Sequence, residues 1–88
     1  MHELSLLSDL MRKITSVAQE QNAEKVVSIR VKLGALCHLS PAHFREHFTH
    51  AACGTVAEGA QLEIEVMTDE TDRNAQEIVL ESVAIEAA

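Results

Sequence analysis

Met1, His2 and Glu3 open this chain with the donor set of a metal chelate. The terminal amine, the His2 backbone amide and the His2 imidazole follow one another, and Glu3 adds a further amide and a carboxylate. Nitrogen donors packed this closely suit a square-planar ion such as Ni(II) or Cu(II). Any chain that begins Met-His carries the first three of them, and the first residues of a domain are commonly a solvated leader. The segment that follows favours the metal reading. Leu4, Leu7, Leu10, Met11, Ile14, Val17, Ala18 and Gln21 recur at helical spacing, with Asp9, Arg12, Lys13, Ser16 and Glu20 on the other face, so residues 4–21 are predicted to form a helix. The first four N–H groups of a helix have no partner within it. A helix starting near Glu3 or Leu4 thus leaves the His2 and Glu3 amides open to a metal. The positive end of its dipole also favours a neutral amine and deprotonated amides.

A second group of donors lies mid-chain. His43, His47 and His50 stand at i, i+4 and i+7, one stripe of a helix, with His38 upstream. Histidines at i and i+4 can share one metal ion. The competing reading is a polar helix flank that happens to be rich in histidine, since no Cys or carboxylate clearly completes the set and Glu46 points somewhat aside. Catalytic patterns are absent. Gly34, Gly54 and Gly59 are isolated, which rules out a phosphate-binding loop, and Cys37-His38 has no third group to orient it. An enzyme is not expected.

Composition narrows the remaining classes. The 88 residues fit one domain, residues 1–88. A chain this long buries roughly 60–65% of its unfolded surface. With no Trp or Tyr and only two Phe, its core must be aliphatic. The net charge of −7 argues against a nucleic-acid partner. No apolar run approaches the roughly 18 residues that cross a membrane, and Asp9, Arg12 and Lys13 interrupt any signal-peptide core. A cytoplasmic location is expected. Cys37 and Cys53 form neither a disulfide framework nor a zinc ribbon and are read as reduced thiols.

These donors need elements to position them. In residues 26–33, Val27, Ile29, Val31 and Leu33 alternate with Ser28, Arg30 and Lys32, which reads as a strand with one buried face, ended by Gly34. Ser40-Pro41 reads as a helix N-cap followed by a first-turn proline, opening a second helix that runs to Cys53 with Gly54 as its stop. Leu62, Ile64 and Val66 alternate with glutamates in a second strand, Glu63 and Glu65 being its solvated edge. Residues 78–85 form a third strand whose phase slips near Ser82, as a bulge would require. The polar stretch 68–74 reads as a hairpin loop between the last two strands. The expected fold class is α+β, two amphipathic helices packed on a small three-stranded mixed or antiparallel sheet, in the order α-β-α-β-β.

Taken together, these stretches resemble the HypA/HybF family of [NiFe]-hydrogenase maturation proteins. The resemblance is carried by Met1-His2-Glu3-Leu4-Ser5-Leu6, by Val31-Lys32-Leu33-Gly34-Ala35-Leu36, and by Ser40-Pro41 with Phe44-Arg45 and Phe48. The stretch from Gly54 to Ile64 and Glu77-Ile78-Val79-Leu80-Glu81-Ser82 continue it in order along nearly the whole chain. It implies nickel ligation at Met1, His2 and Glu3, with His2 as the side-chain ligand. It further implies nickel delivery to a [NiFe]-hydrogenase large-subunit precursor, with urease a possible further client, and cooperation with a HypB-like GTPase. The chain departs from the family in one respect: a zinc domain with two CxxC motifs belongs between the last two strands, and here Met67 to Gln76 stand in its place. Structural zinc is therefore not expected, and excision at a hairpin tip should leave the strand pair intact. A homodimer is possible. The rival expectations are a protein–protein adaptor without metal delivery and a zinc or copper buffer built on His43, His47 and His50.

Overall fold

The computed structural model describes residues 3–87, with the side chains of residues 5–87. Its elements run α1 (Glu3–Glu20), β1 (Ala23–Leu33), α2 (Pro41–Ala52), β2 (Gln61–Val66) and β3 (Ile78–Ala87), the α+β order expected. Both helices pack on the sheet. Leu6, Leu7, Leu10, Ile14 and Ala18 form the buried stripe of α1, a face that falls at the helical repeat. Phe44, Phe48 and Ala52 anchor α2. They meet Val26, Ile29, Val31 and Leu33 of β1, each no more than 1% exposed. Ser40 caps α2 as expected, its Oγ accepting the His43 N–H at 3.1 Å, and Pro41 follows in the first turn. The helix ends at Ala52. Cys53 is the cap, and Gly54 takes a left-handed φ of +82°, the conformation a C-terminal glycine supplies.

The sheet order corrects the hairpin expectation. It is β2-β1-β3, with β1 parallel to β2 and antiparallel to β3. The last two strands therefore do not pair with each other, and residues 67–77 are an arch across the end of β1. The arch leaves β2 through Met67, whose N–H donates to Leu33 O at 2.9 Å, and reaches β3 through Glu77, whose carbonyl accepts the Gly34 N–H at 2.8 Å. Leu36 N–H donates to Ala75 O at 2.7 Å and fixes the middle. Within the arch, the Thr71 hydroxyl and N–H donate to Asp69 Oδ1 at 2.6 and 2.9 Å and hold that carboxyl below its ordinary pKa. Alternation on β2 and β3 said which faces are apolar but not which strands are neighbours. The pairing follows from α2, because two parallel strands need a crossover and α2 is the one between β1 and β2.

Two strand details also shift. Between Val26 and Ser28 the register with β3 slips. Val27 is the extra residue there and stands 44% exposed instead of facing the core, while Val26 takes the buried position. The slip expected near Ser82 is present: Arg30 pairs with Ser82 and Val31 with Leu80, so Glu81 is the extra residue. On the outer face, Arg30 meets Glu63 at 2.7 Å and Lys32 meets Glu81 at 3.2 Å. The hydrogen bond to Glu63 chiefly raises the Arg30 pKa, and that to Glu81 the Lys32 pKa. Glu63 is thus an ion-pair partner as well as an exposed edge residue.

Candidate metal centre

Met1 and His2 lie outside the described residues, as does the Glu3 side chain. What the structure supplies is the scaffold behind them. Helix α1 begins at Glu3. The N–H groups of its first turn are therefore not claimed by the helix ladder. Leu6, Leu7 and Leu10, all buried, fix the first turns of α1 against the core.

Helix α2 carries the histidine stripe. His43 and His47 are in edge contact, ring centroids 4.5 Å apart and planes at 69°. His43 is exposed and His47 half-buried, held at the edge of the Phe44–Phe48 face as the spacing predicts. His50 is exposed in the last turn, where its carbonyl accepts the Cys53 N–H at 3.3 Å. Among the described residues no three His, Cys, Asp or Glu side chains converge as a metal site. The described part of the stripe is therefore a ring pair with His50 farther along the same helix.

One lining group escaped the sequence reading. A cleft of about 300 Å³ between the helices is lined by Leu7 of α1 and by Glu46, His47, His50 and Ala51 of α2. Glu46 belongs to this side of the helix instead of standing apart from it. The signal was present, since Glu46 and His50 are i, i+4 neighbours on one helix surface. The cysteines are elsewhere. Cys37 is half-buried against the core in the turn after β1, where its N–H donates to Gly34 O at 3.1 Å. Cys53 is exposed, and its thiol pKa is raised, first by a hydrogen bond to Glu58 and then by that carboxylate's charge. A thiol held protonated is a poor nucleophile and a poor metal ligand.

Similarity to known proteins places this scaffold. The profile of the family described as "Hydrogenase/urease nickel incorporation, metallochaperone, hypA" matches residues 1–84. The hydrogenase maturation factor HypA of Archaeoglobus fulgidus is 41% identical over 66 residues, covering 75% of this chain and 60% of that protein. The HypA of Methylocella silvestris is 37% identical over 70 residues, 80% of this chain and 62% of the relative. For that of Methanopyrus kandleri the values are 38% over 66 residues, 75% and 46%. The chain thus spans about half to three fifths of the length of these curated relatives. The solution structure of the Ni metallochaperone HypA from Helicobacter pylori shares the fold, with a TM-score of 0.79 over all of both chains at 19% identity. With a profile match that starts at Met1 and runs through β1, both helices and into β3, the chain belongs to the HypA family.

Proposed function

We propose that this chain is a nickel metallochaperone that assists maturation of [NiFe]-hydrogenase, or of urease, by nickel delivery. The observation that supports the reading is the family match over residues 1–84, a stretch that includes the Met1-His2-Glu3 donor sequence. Ni(II) is the cargo. The Met1 amine, the His2 amide and the His2 imidazole hold it, and the Glu3 amide or carboxylate is the fourth donor. The protein catalyses no reaction of its own. An arm at the head of a helix can release its ion by ligand exchange to a partner that offers more or softer donors. The partners in this reading are a HypB-like GTPase and a [NiFe]-hydrogenase large-subunit precursor, in the cytoplasm, with no nucleic acid. Residues 1–88 act as one nickel-binding domain. Met67 to Gln76, within the arch, stand in the place of the family's zinc domain, and nickel is the only metal in the reading.

The test is a calorimetric nickel titration at pH 7.5 of tag-free protein whose Met1 is verified by mass. His2→Ala and a chain with a blocked amine should each lose most of the affinity. Unchanged binding in either removes that group from the site. A pulldown of the hydrogenase precursor that ignores both nickel and His2→Ala would make the chain an adaptor.

A further inference from the structure

The sheet edge at β2 carries features that the proposed nickel site does not use. Among the described strands β2 pairs with β1 alone, in unbroken register from Gln61 to Val66, so one side of it presents main-chain groups outward. Such an edge is a template for another extended chain. β3 is the other edge, but register shifts interrupt its pairing and Glu81 stands in it as an extra residue. The two faces of β2 differ. Leu62, Ile64 and Val66 are in register with Ile29, Val31 and Leu33 and share their apolar face. Cover fails along that face: Leu62 is 8% exposed, Ile64 half-buried and Val66 50% exposed. A cleft of about 280 Å³ opens beside the covered end, lined by Arg45 and Phe48 of α2, by Ala57 and by Leu62. On the opposite face stand Glu63 and Glu65, their side chains each 62% exposed, beside Arg30 and Lys32 of β1. Glu81 shares the same two cations from the β3 side. Carboxylates outnumber cations in this cluster, so the face is acidic.

We infer that β2 is a docking edge for an extended segment of a partner protein in which apolar and basic residues alternate. Strand addition of this kind takes its affinity from main-chain hydrogen bonds and its selectivity from alternate side chains. The apolar side chains of the segment fall on the Ile64–Val66 face and reach the cleft beside Leu62. Its basic side chains fall on the other face, against Glu63 and Glu65, as opposite charges across a strand pair attract. A second copy of this chain fits less well. Paired antiparallel through β2 with its helices on the same side of the sheet, it sets glutamate opposite glutamate, an unfavourable cross-strand pair. The inference goes beyond the nickel reading and does not depend on it.

The experiment is a titration of the full, nitrogen-15-labelled chain, with chelator present, by a synthetic peptide of alternating valine and lysine. Amide shifts locate the site, and fluorescence anisotropy of the labelled peptide gives Kd. Comparison peptides alternate valine with glutamate, or group the valines and lysines in separate blocks. Two more carry N-methyl groups on one or the other set of alternate amides. Binding should saturate, with shifts concentrated in residues 61–66 and around the cleft and not in residues 78–87. Only one side of an added strand faces β2, so one N-methylated peptide should lose at least about 10-fold, two or more hydrogen bonds being lost, while the other keeps its affinity. The acidic and block peptides should bind more weakly than the alternating basic one. Glu63→Gln/Glu65→Gln, checked for folding by circular dichroism, should weaken binding about 3–10-fold; the peptide comparisons stand on the wild-type chain if that variant does not fold. Equal loss or equal retention in the two N-methylated peptides overturns strand addition. Shifts centred on β3 overturn the choice of edge, and no saturable binding up to about 1 mM overturns the docking site. A dimer in light scattering that the peptide dissociates assigns the edge to a second copy and overturns the proposal.

Discussion

Replacing Gly34 with alanine probes the close approach of the arch to the end of β1. A Cβ built at Gly34 lies 2.2 Å from the Ala75 carbonyl oxygen and 2.6 Å from that of Asn74. Real Cβ atoms essentially never approach another atom within 3.0 Å, so the arch must retreat by at least the difference, 0.8 Å. The obstacle is main chain, so no rotamer change relieves it. The atoms to be displaced are also tied down: Ala75 O accepts the Leu36 N–H at 2.7 Å, and Glu77 O accepts from Gly34 itself at 2.8 Å. Overpacking costs about 1–3 kcal/mol, and weakening one of these bonds about 0.5–1.5 kcal/mol. The stiffer unfolded chain returns about 0.5 kcal/mol. The net loss is about 1–4 kcal/mol, centred near 2.5, from a total stability of about 4–13 kcal/mol for a chain of 88 residues. The central value corresponds to a fall in Tm of about 10–20 °C. Urea unfolding followed by circular dichroism gives the value directly, with Gly54→Ala as comparator. Gly54 has open space around it and only its φ of +82° to oppose a side chain, a cost of about 1–2 kcal/mol. A loss below about 0.5 kcal/mol in Gly34→Ala refutes the idea that the arch is seated on Gly34.

Other perturbations address the core, the thiol and the metal. Phe44, 1% exposed, should cost about 3–5 kcal/mol on truncation to alanine, whereas exposed His43 beside it should cost within about 0.5 kcal/mol, both read from urea midpoints. Glu58 raises the Cys53 pKa, so Glu58→Gln should increase the thiolate fraction and speed alkylation of Cys53 by iodoacetamide at pH 8, followed by peptide mass; an unchanged rate discounts the hydrogen bond. Nickel affinity should fall as pH drops through about 6.5, because amine, amide and imidazole donors must lose protons to bind. Titrations at pH 7.5, 6.5 and 5.5 with equal affinity would exclude imidazole ligation.

Local features of this fold were readable in the sequence because local chemistry decides them. Ser40 and Pro41 mark the start of α2 by capping and by a fixed φ, and the structure places the helix there. The phase change from Leu80 to Val83 announced the extra residue at Glu81. Val27 was misplaced because a run of two valines satisfies the alternation in either phase, and only the pairing with β3 shows which one is extra. Strand order was hidden for a different reason. A polar connection of this length serves a hairpin or an arch equally well, and the choice depends on where α2 lets β2 dock. Gly34 read as a strand stop, yet its smallness is demanded by residues some 40 positions later, Asn74 and Ala75. For the candidate centre, spacing placed His43 and His47 on one helix surface. That His47 also lines a cleft with Leu7 of α1 follows only from the packing of the two helices. Met1 and His2 were legible through donor chemistry and family resemblance alone.

The middle position of β1 sets the order in which the molecule can be made. Its partners arrive late: Ser28 pairs with Gln61 on one side, and Lys25 with Glu86 on the other. Pairings this distant in sequence favour folding on the slow side for a small domain, because the loops must close before contacts repay them. On the ribosome, β1 is complete at Leu33 but lacks its antiparallel partner until Ala87 is made, 54 residues later. At about 5–20 residues per second this interval is roughly 3–11 s. Through it, the apolar face of β1 has only α1, and later α2, to cover it. The amphipathic first helix is thus also the nascent strand's first shield, synthesised ahead of the surface it protects.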